Sequence, residues 1–217
     1  KQRVVMQKKP SEWVSISDLM SGVLAVVMLL LVISVLQKTY AEIKHKQELE
    51  GGQQGRKQQM TTTLNAIEQE FQHQGIANLI DFNISQGKIT LKDSVFARGS
   101  ACITPEAARA FADIQDKIGN FLQSEKYASI FVEGHTDNIP VSQPVLDYQK
   151  FCTVYDDNYT LSAARAREAR KLLIGNLDAD VAKRVVVAGY GDSQPIEGID
   201  PSSPANRRVV VRFGIEK

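Results

Sequence analysis

The chain has 217 residues, a formal net charge of +1, two cysteines and three histidines. A balanced charge with no basic patch interleaved with aromatics argues against a nucleic-acid-binding surface. Cys102 and Cys152 have no CxxC neighbour, and His45, His73 and His135 lie far apart, so no metal site is expected.

In chain order, residues 1–12 form a short tail in which Lys1, Arg3, Lys8 and Lys9 precede the first acid, Glu12. Residues 13–37 are predicted to be a transmembrane helix. From Val14 to Leu36 there is a single charged residue. At ~1.5 Å per residue this stretch reaches ~34 Å, enough for a ~30 Å hydrocarbon core. Trp13 sits where an interfacial aromatic is expected. A cleavable signal peptide would have a shorter apolar core and a small-residue cleavage site, and VISVLQKTYAEIK offers none. After the helix, Lys38, Lys44 and Lys46 mix with Glu42, Glu48 and Glu50. The resulting small positive-inside bias favours a cytoplasmic N-terminus and an exported C-terminal domain.

The charge within this helix is Asp18. A carboxylate at the bilayer centre costs roughly 2.5–3.5 kcal/mol, less near an end. Ser21, Gly22 and Ala25 follow it at i+3, i+4 and i+7, a stripe of small residues suited to close packing of another helix in lipid. Such an acid can be neutral when sealed from water and charged when a polar path opens, which makes Asp18 the candidate ion- or proton-carrying residue. The alternative is a carboxylate that snorkels or pairs with a lysine of a partner helix.

Residues 38–77 read as a polar helical linker, interrupted at GGQQG (Gly51 to Gly55) by a break or hinge. Its Gln-rich stretch GGQQGRKQQM reads as a solvated spacer. The remaining residues, 78–217, are one domain, long enough to bury its own core. LIDFNIS and KITLK form a hairpin around Gln86-Gly87. ITPEAARAFADIQDKIGNFL is an amphipathic helix capped by Thr104, with Pro105 in its first turn and Ala107, Phe111, Ile114, Ile118 and Phe121 on one face. SIFVEG is a buried strand, and LSAARAREARKLLI a helix with Ala166, Ala169 and Leu173 inward and Arg167, Arg170 and Lys171 outward. RVVVAGYG and RRVVVRF add two strands, giving an α/β sandwich with a mixed sheet.

Four blocks carry a resemblance: VEGHTDN (Val132–Asn138), NYTLSAARA (Asn158–Ala166), VVAGYGDSQPI (Val186–Ile196) and NRRVVVRF (Asn206–Phe213). They are similar to the OmpA/MotB-like peptidoglycan-binding domain. An apolar helix with an early Asp ahead of such a domain resembles the B subunits of ion-driven stator motors. MotB, PomB, ExbD and TolR share that helix, and MotB and PomB share the domain as well. As a whole the chain resembles the ZorB-type, stator-like subunits of Zorya anti-phage defence systems.

The resemblance implies a ligand, the diaminopimelate residue of the peptidoglycan stem peptide, which offers an ammonium and a carboxylate side by side. It assigns Asp137 to the ammonium and Arg165, on the first turn of its helix, to the carboxylate, a bidentate task that suits Arg better than Lys. Leu161 and Asn158 match a pocket leucine and a loop-ordering asparagine. Asn206, Arg207 and Arg208 match a supporting NRR triplet. The family often has an acid after the phenylalanine of SVFARGSACITPE, where this chain has Ala97; backbone groups around Phe96 are expected to replace that contact. The segment from Asn138 to Asp157 is longer than the usual stator loop and contains Cys152, and Cys102 lies in the loop before the first domain helix. In an exported domain a Cys102–Cys152 disulfide would pin the insertion beside the pocket; an intermolecular bond or two free thiols are the alternatives. His135 is expected to be a structural strand-end residue, because no nucleophile or metal-ligand spacing accompanies it. GYGDSQP lacks the lysine of a phosphate loop.

Three functions follow from the resemblance, none enzymatic. The first is a proton- or sodium-driven stator subunit of the inner membrane. It would be a homodimer inside a ring of polytopic A-type (ZorA/MotA-like) subunits, without cofactors, with its C-terminal domain in the periplasm on peptidoglycan. The second is a flagellar MotB/PomB-type subunit, and the third a passive OmpA-like wall anchor.

Overall fold

The computed structural model describes residues 12–73, 79–112, 114–175 and 177–215. Residues 1–11 of the expected tail, and the expected domain boundary between residues 77 and 78, lie outside the described residues. The chain divides into two units, residues 1–54 and 55–217.

The first element, α1, is the helix Glu12–His73. Within it, Ile16–Lys44 is long and apolar enough to cross a membrane. Its leucine, valine, isoleucine and methionine side chains are exposed on every face, the pattern of a helix whose surroundings are apolar. The Ser21 hydroxyl donates to the Asp18 backbone carbonyl at 2.8 Å. The Asp18 carboxylate itself has no hydrogen-bond or ion-pair partner among the described residues. Gly51 to Gly55, expected to break the helix, are helical: glycine lowers helix propensity by only about 1 kcal/mol per residue, less than a proline would cost.

A second difference concerns the rest of the expected linker. Met60, Leu64, Ile67 and Phe71 are buried in the core of the C-terminal unit. They recur at i, i+4, i+7 and i+11, one face of a helix, while Thr62, Asn65 and Gln69 between them are exposed. The Phe71 ring meets Phe82 and Phe111 at 6.0 and 5.3 Å between centroids. Glu70 pairs with Lys117 at 3.2 Å. The spacer reading is therefore corrected for this stretch, which is part of the domain.

The sheet has five strands in the order β1-β2-β5-β3-β4: β1 (Ile80–Asn83), β2 (Lys88–Lys92), β3 (Ala128–His135), β4 (Val185–Gly189) and β5 (Arg208–Ile215). Gly87, at φ 65, supplies the left-handed turn of the β1–β2 hairpin. β3 and β4 are parallel and the other pairs antiparallel, the mixed sheet the sequence indicates. The helices after α1 are α2 (Pro105–Ala112), α3 (Gln115–Ser124), α4 (Tyr148–Phe151), α5 (Asn158–Ile174) and α6 (Ala179–Ala182). One amphipathic helix was expected where α2 and α3 stand as two. Its predicted inward face, Ala107, Phe111, Ile114, Ile118 and Phe121, is nonetheless buried. Arg170, expected to point outward, is half-buried and donates to the carbonyls of Val185 and Ala182.

Two glycines set the height of α5 above the sheet. Gly134 on β3 is paired in register with Gly189 on β4. A Cβ on Gly134 would lie 2.0 Å from the Ser162 carbonyl oxygen, and one on Gly189 would lie 2.6 Å from the Ala163 Cβ. Only a bare backbone lets the helix come this close.

Candidate functional site

Register brings the charged residues to one end of the sheet. Arg208 is opposite both Lys92 and His135. The residues just beyond those three positions, Asp93, Asp137 and Arg207, therefore leave the sheet at the same end. Asp157 caps α5 by accepting from the Thr160 amide. Arg165 lies about two turns into this helix rather than on its first turn. There it is held low against the sheet by the glycine contacts.

These residues line a cleft of about 520 Å³ whose walls include Asp93, Asp137, Asn158, Leu161, Arg165 and Arg207. Arg165 is 2 % exposed. Its Nε donates to the Ser100 carbonyl at 2.9 Å, and its Nη1 lies 3.0 Å from Asp93 Oδ1, a charge contact rather than an aligned hydrogen bond. Arg207 bridges the two acids, with Nε on Asp93 Oδ2 at 3.0 Å and Nη1 on Asp137 Oδ2 at 2.7 Å. The chain of charges runs Arg165, Asp93, Arg207, Asp137. Burial pushes the Arg165 guanidinium below the usual range, against the opposing charge of Asp93. Burial acts the same way on Arg207, but the hydrogen bonds to Asp137 and Asp93 outweigh it and raise the group. Asp137 is itself buried, and its Oδ1 accepts from the Ile139 amide.

Of the residues singled out by sequence, Asp137, Asn158, Leu161 and Arg165 meet in this cleft. Asn158 orders the loop after β3 by donating to the carbonyls of Asp137 and Ile139. Phe96 does not line the cleft: it is buried, with its ring 5.2 Å from the Arg165 guanidinium carbon, a cation–π support from beneath. Arg207, expected only to support, stands in the cleft. Asn206 accepts from the Ile196 amide and donates to the carbonyls of Asp200 and Pro201, bracing that loop. Arg208 donates to the carbonyls of Asn206 and Gln194. The residue that sequence reasoning missed is Asp93. It sits at the end of a strand, three positions before Phe96, and nothing local marks it as the partner of two distant arginines.

His135 is buried at the end of β3 and stacked on Tyr190 at 5.3 Å. Burial first, and the charge of Arg208 second, lower its pKa from 6.5 to about 4. It is a neutral packing residue. No group of three His, Cys, Asp or Glu able to hold a metal occurs among the described residues.

One cleft wall is the insertion after β3. Cys102 and Cys152 are bonded across a sequence separation of 50 residues. Beside the bond, the Ser100 hydroxyl and the Ala101 amide both donate to the Phe151 carbonyl. The Tyr155 hydroxyl donates to the Gly99 carbonyl at 2.6 Å, and Val145 and Tyr155 pair as a two-residue bridge. The insertion and the loop carrying Gly99 are thus fastened to each other on both sides of the disulfide.

Sheet order, register and cleft define an α/β domain of the OmpA-like type. The chain belongs to the OmpA family, whose model matches residues 95–208, more than half of it. It is 32% identical over 126 residues to Motility protein B of Bacillus subtilis (strain 168), a match covering 57% of this chain and 43% of that protein. The chain thus spans under half the length of that curated relative. Among solved structures, a MotB-like protein from Desulfovibrio vulgaris has a TM-score of 0.56 at 21% identity, covering 76% of this chain and 99% of that one. The periplasmic domain of Helicobacter pylori MotB (residues 78–256) has a TM-score of 0.44 at 21% identity, covering 60% of this chain and 76% of that one.

Proposed function

We propose that this chain is a wall-anchored B-type subunit of an ion-driven motor in the bacterial inner membrane. One observation carries the reading: a cleft that presents a buried carboxylate and two buttressed guanidiniums within one chain of charges. Such a pair complements a zwitterion. The ammonium of a diaminopimelate side chain takes the place of Arg207 on Asp137, and its carboxylate meets the arginines. Leu161 and the apolar insertion residues cover the carbon chain between them.

The second part of the reading is the helix. A single span cannot form a pore, so Asp18 needs a polytopic A-type ring around it, with two copies of this chain inside. Binding and release of an ion, most simply H⁺, switch the charge of Asp18 as each ring subunit passes. The domains held on peptidoglycan keep the helices from turning with the ring. The N-terminus is then cytoplasmic and the domain periplasmic. For the output we favour a ZorB-like role in anti-phage defence, on the resemblance of the whole chain. The similarity to Motility protein B supports a flagellar output equally, and the neighbouring genes would separate the two.

The test of the cleft is a pull-down on purified peptidoglycan sacculi. Asp137→Ala and Arg165→Ala are each expected to lower retention at least tenfold with the fold intact by circular dichroism. Full retention by both variants would refute the assignment.

A further inference from the structure

The charge pairs in the cleft leave one cation over. Arg165 and Arg207 are matched by Asp93 and Asp137. Arg98 lines the same cleft, is exposed, and has no hydrogen-bond or ion-pair partner among the described residues. The walls therefore hold three arginines against two aspartates. A zwitterionic ligand adds no net charge, so it occupies the paired groups and leaves Arg98 unanswered.

An arginine on a loose loop would carry no argument, because the entropy of holding it consumes most of what an exposed ion pair gains. The backbone on either side of Arg98 is fixed. Ala97 donates its amide to the Cys102 carbonyl and accepts from the Ser100 amide. Gly99, at φ 62, accepts from Tyr155 of the insertion. Ser100 is held by Phe151 and by Arg165, and Cys102 is tied to Cys152. The base of the side chain is thus set in place before any ligand arrives, which reduces the ordering cost of binding.

We propose that Arg98 is a specificity-determining residue that receives a second carboxylate of the ligand, adjacent to the zwitterionic group. The inference rests on the peptidoglycan reading and narrows it: the preferred ligand carries one more negative charge than diaminopimelate alone. In a tetrapeptide stem two carboxylates flank that residue, the α-carboxylate of the preceding glutamate and the terminal carboxylate of the following alanine. Either presents the same chemistry to a guanidinium.

The experiment uses the full chain in detergent and three soluble muropeptides. One is the tetrapeptide with both carboxylates free, one is amidated at the glutamate, and one is amidated at the terminus. Wild type is expected to bind the free acid about fivefold more tightly than one of the two amides, and the weaker amide identifies the carboxylate read. Arg98→Gln is expected to bind the free acid and that amide equally, with an unchanged melting temperature, and Arg98→Lys to keep part of the preference. Equal binding of all three by wild type, or an undiminished preference in Arg98→Gln, overturns the inference while Asp137-dependent binding leaves the cleft reading standing. If wild type binds none of the three, both fall together.

Discussion

The two units of this chain treat charge and apolar surface in opposite ways. The C-terminal unit buries a core of large apolar side chains, and its cleft acids each have an arginine at hydrogen-bonding distance. In the N-terminal unit the apolar side chains are exposed and the Asp18 carboxylate has no partner among the described residues. The C-terminal unit thus answers its core surface and its cleft acids with its own residues. The proposed function gives the exposed apolar surface and unanswered acid of the helix their surroundings, lipid and the helices of a partner.

The strongest break of this contrast is at Asp18. Asp18→Asn is expected to abolish ion flux and motor output in cells while leaving assembly and domain melting unchanged. Undiminished output would reduce the helix to a tether. Next in size is the disulfide. Joining positions 50 residues apart stabilises by up to about 4 kcal/mol in the chain-entropy account. Cys102→Ser with Cys152→Ser should lower the denaturation midpoint accordingly, and reductant should do the same to wild type but nothing to the double variant. Leu64→Ala, at a site with no exposure, should cost about 3 kcal/mol by leaving a cavity. Leu24→Ala, on the exposed apolar helix, should leave domain stability unaltered. Equal effects would erase the distinction between the two ends of α1. The smallest effect is with pH. His135 is neutral in the fold, and its pKa is lowered from 6.5 to about 4. The unfolded chain therefore takes up a proton that the folded chain refuses. Stability is complete above pH 6.5 and falls as pH drops toward 4, by at most about 3 kcal/mol. Melting curves between pH 7 and 4.5 should show this slope, and His135→Gln should remove it.

Much of the sheet was legible because its signals are local. The Gln86-Gly87 turn, the alternation in KITLK and the β-branched runs of RVVVAG and RRVVVRF each sit inside a few residues. The cleft was half legible. Asp137, Asn158, Leu161 and Arg165 come from motifs whose order matches a family. Asp93 and the true position of Arg207 depend on β2 and β3 both pairing with β5, which brings together residues as distant in sequence as Asp93 and Arg207, 114 positions apart. The buried stripe of the linker was written at helical spacing in Met60, Leu64, Ile67 and Phe71. The polar residues between them masked it, because average polarity over a window says nothing about which face a residue occupies.

The facing glycines of β3 and β4 have a practical corollary for anyone who would retarget this domain. With no space for even one added carbon beneath α5, the depth of the cleft floor is not an adjustable dimension. Variants that seek another ligand must draw their diversity from the rim, where length and side chains can vary without lifting the helix.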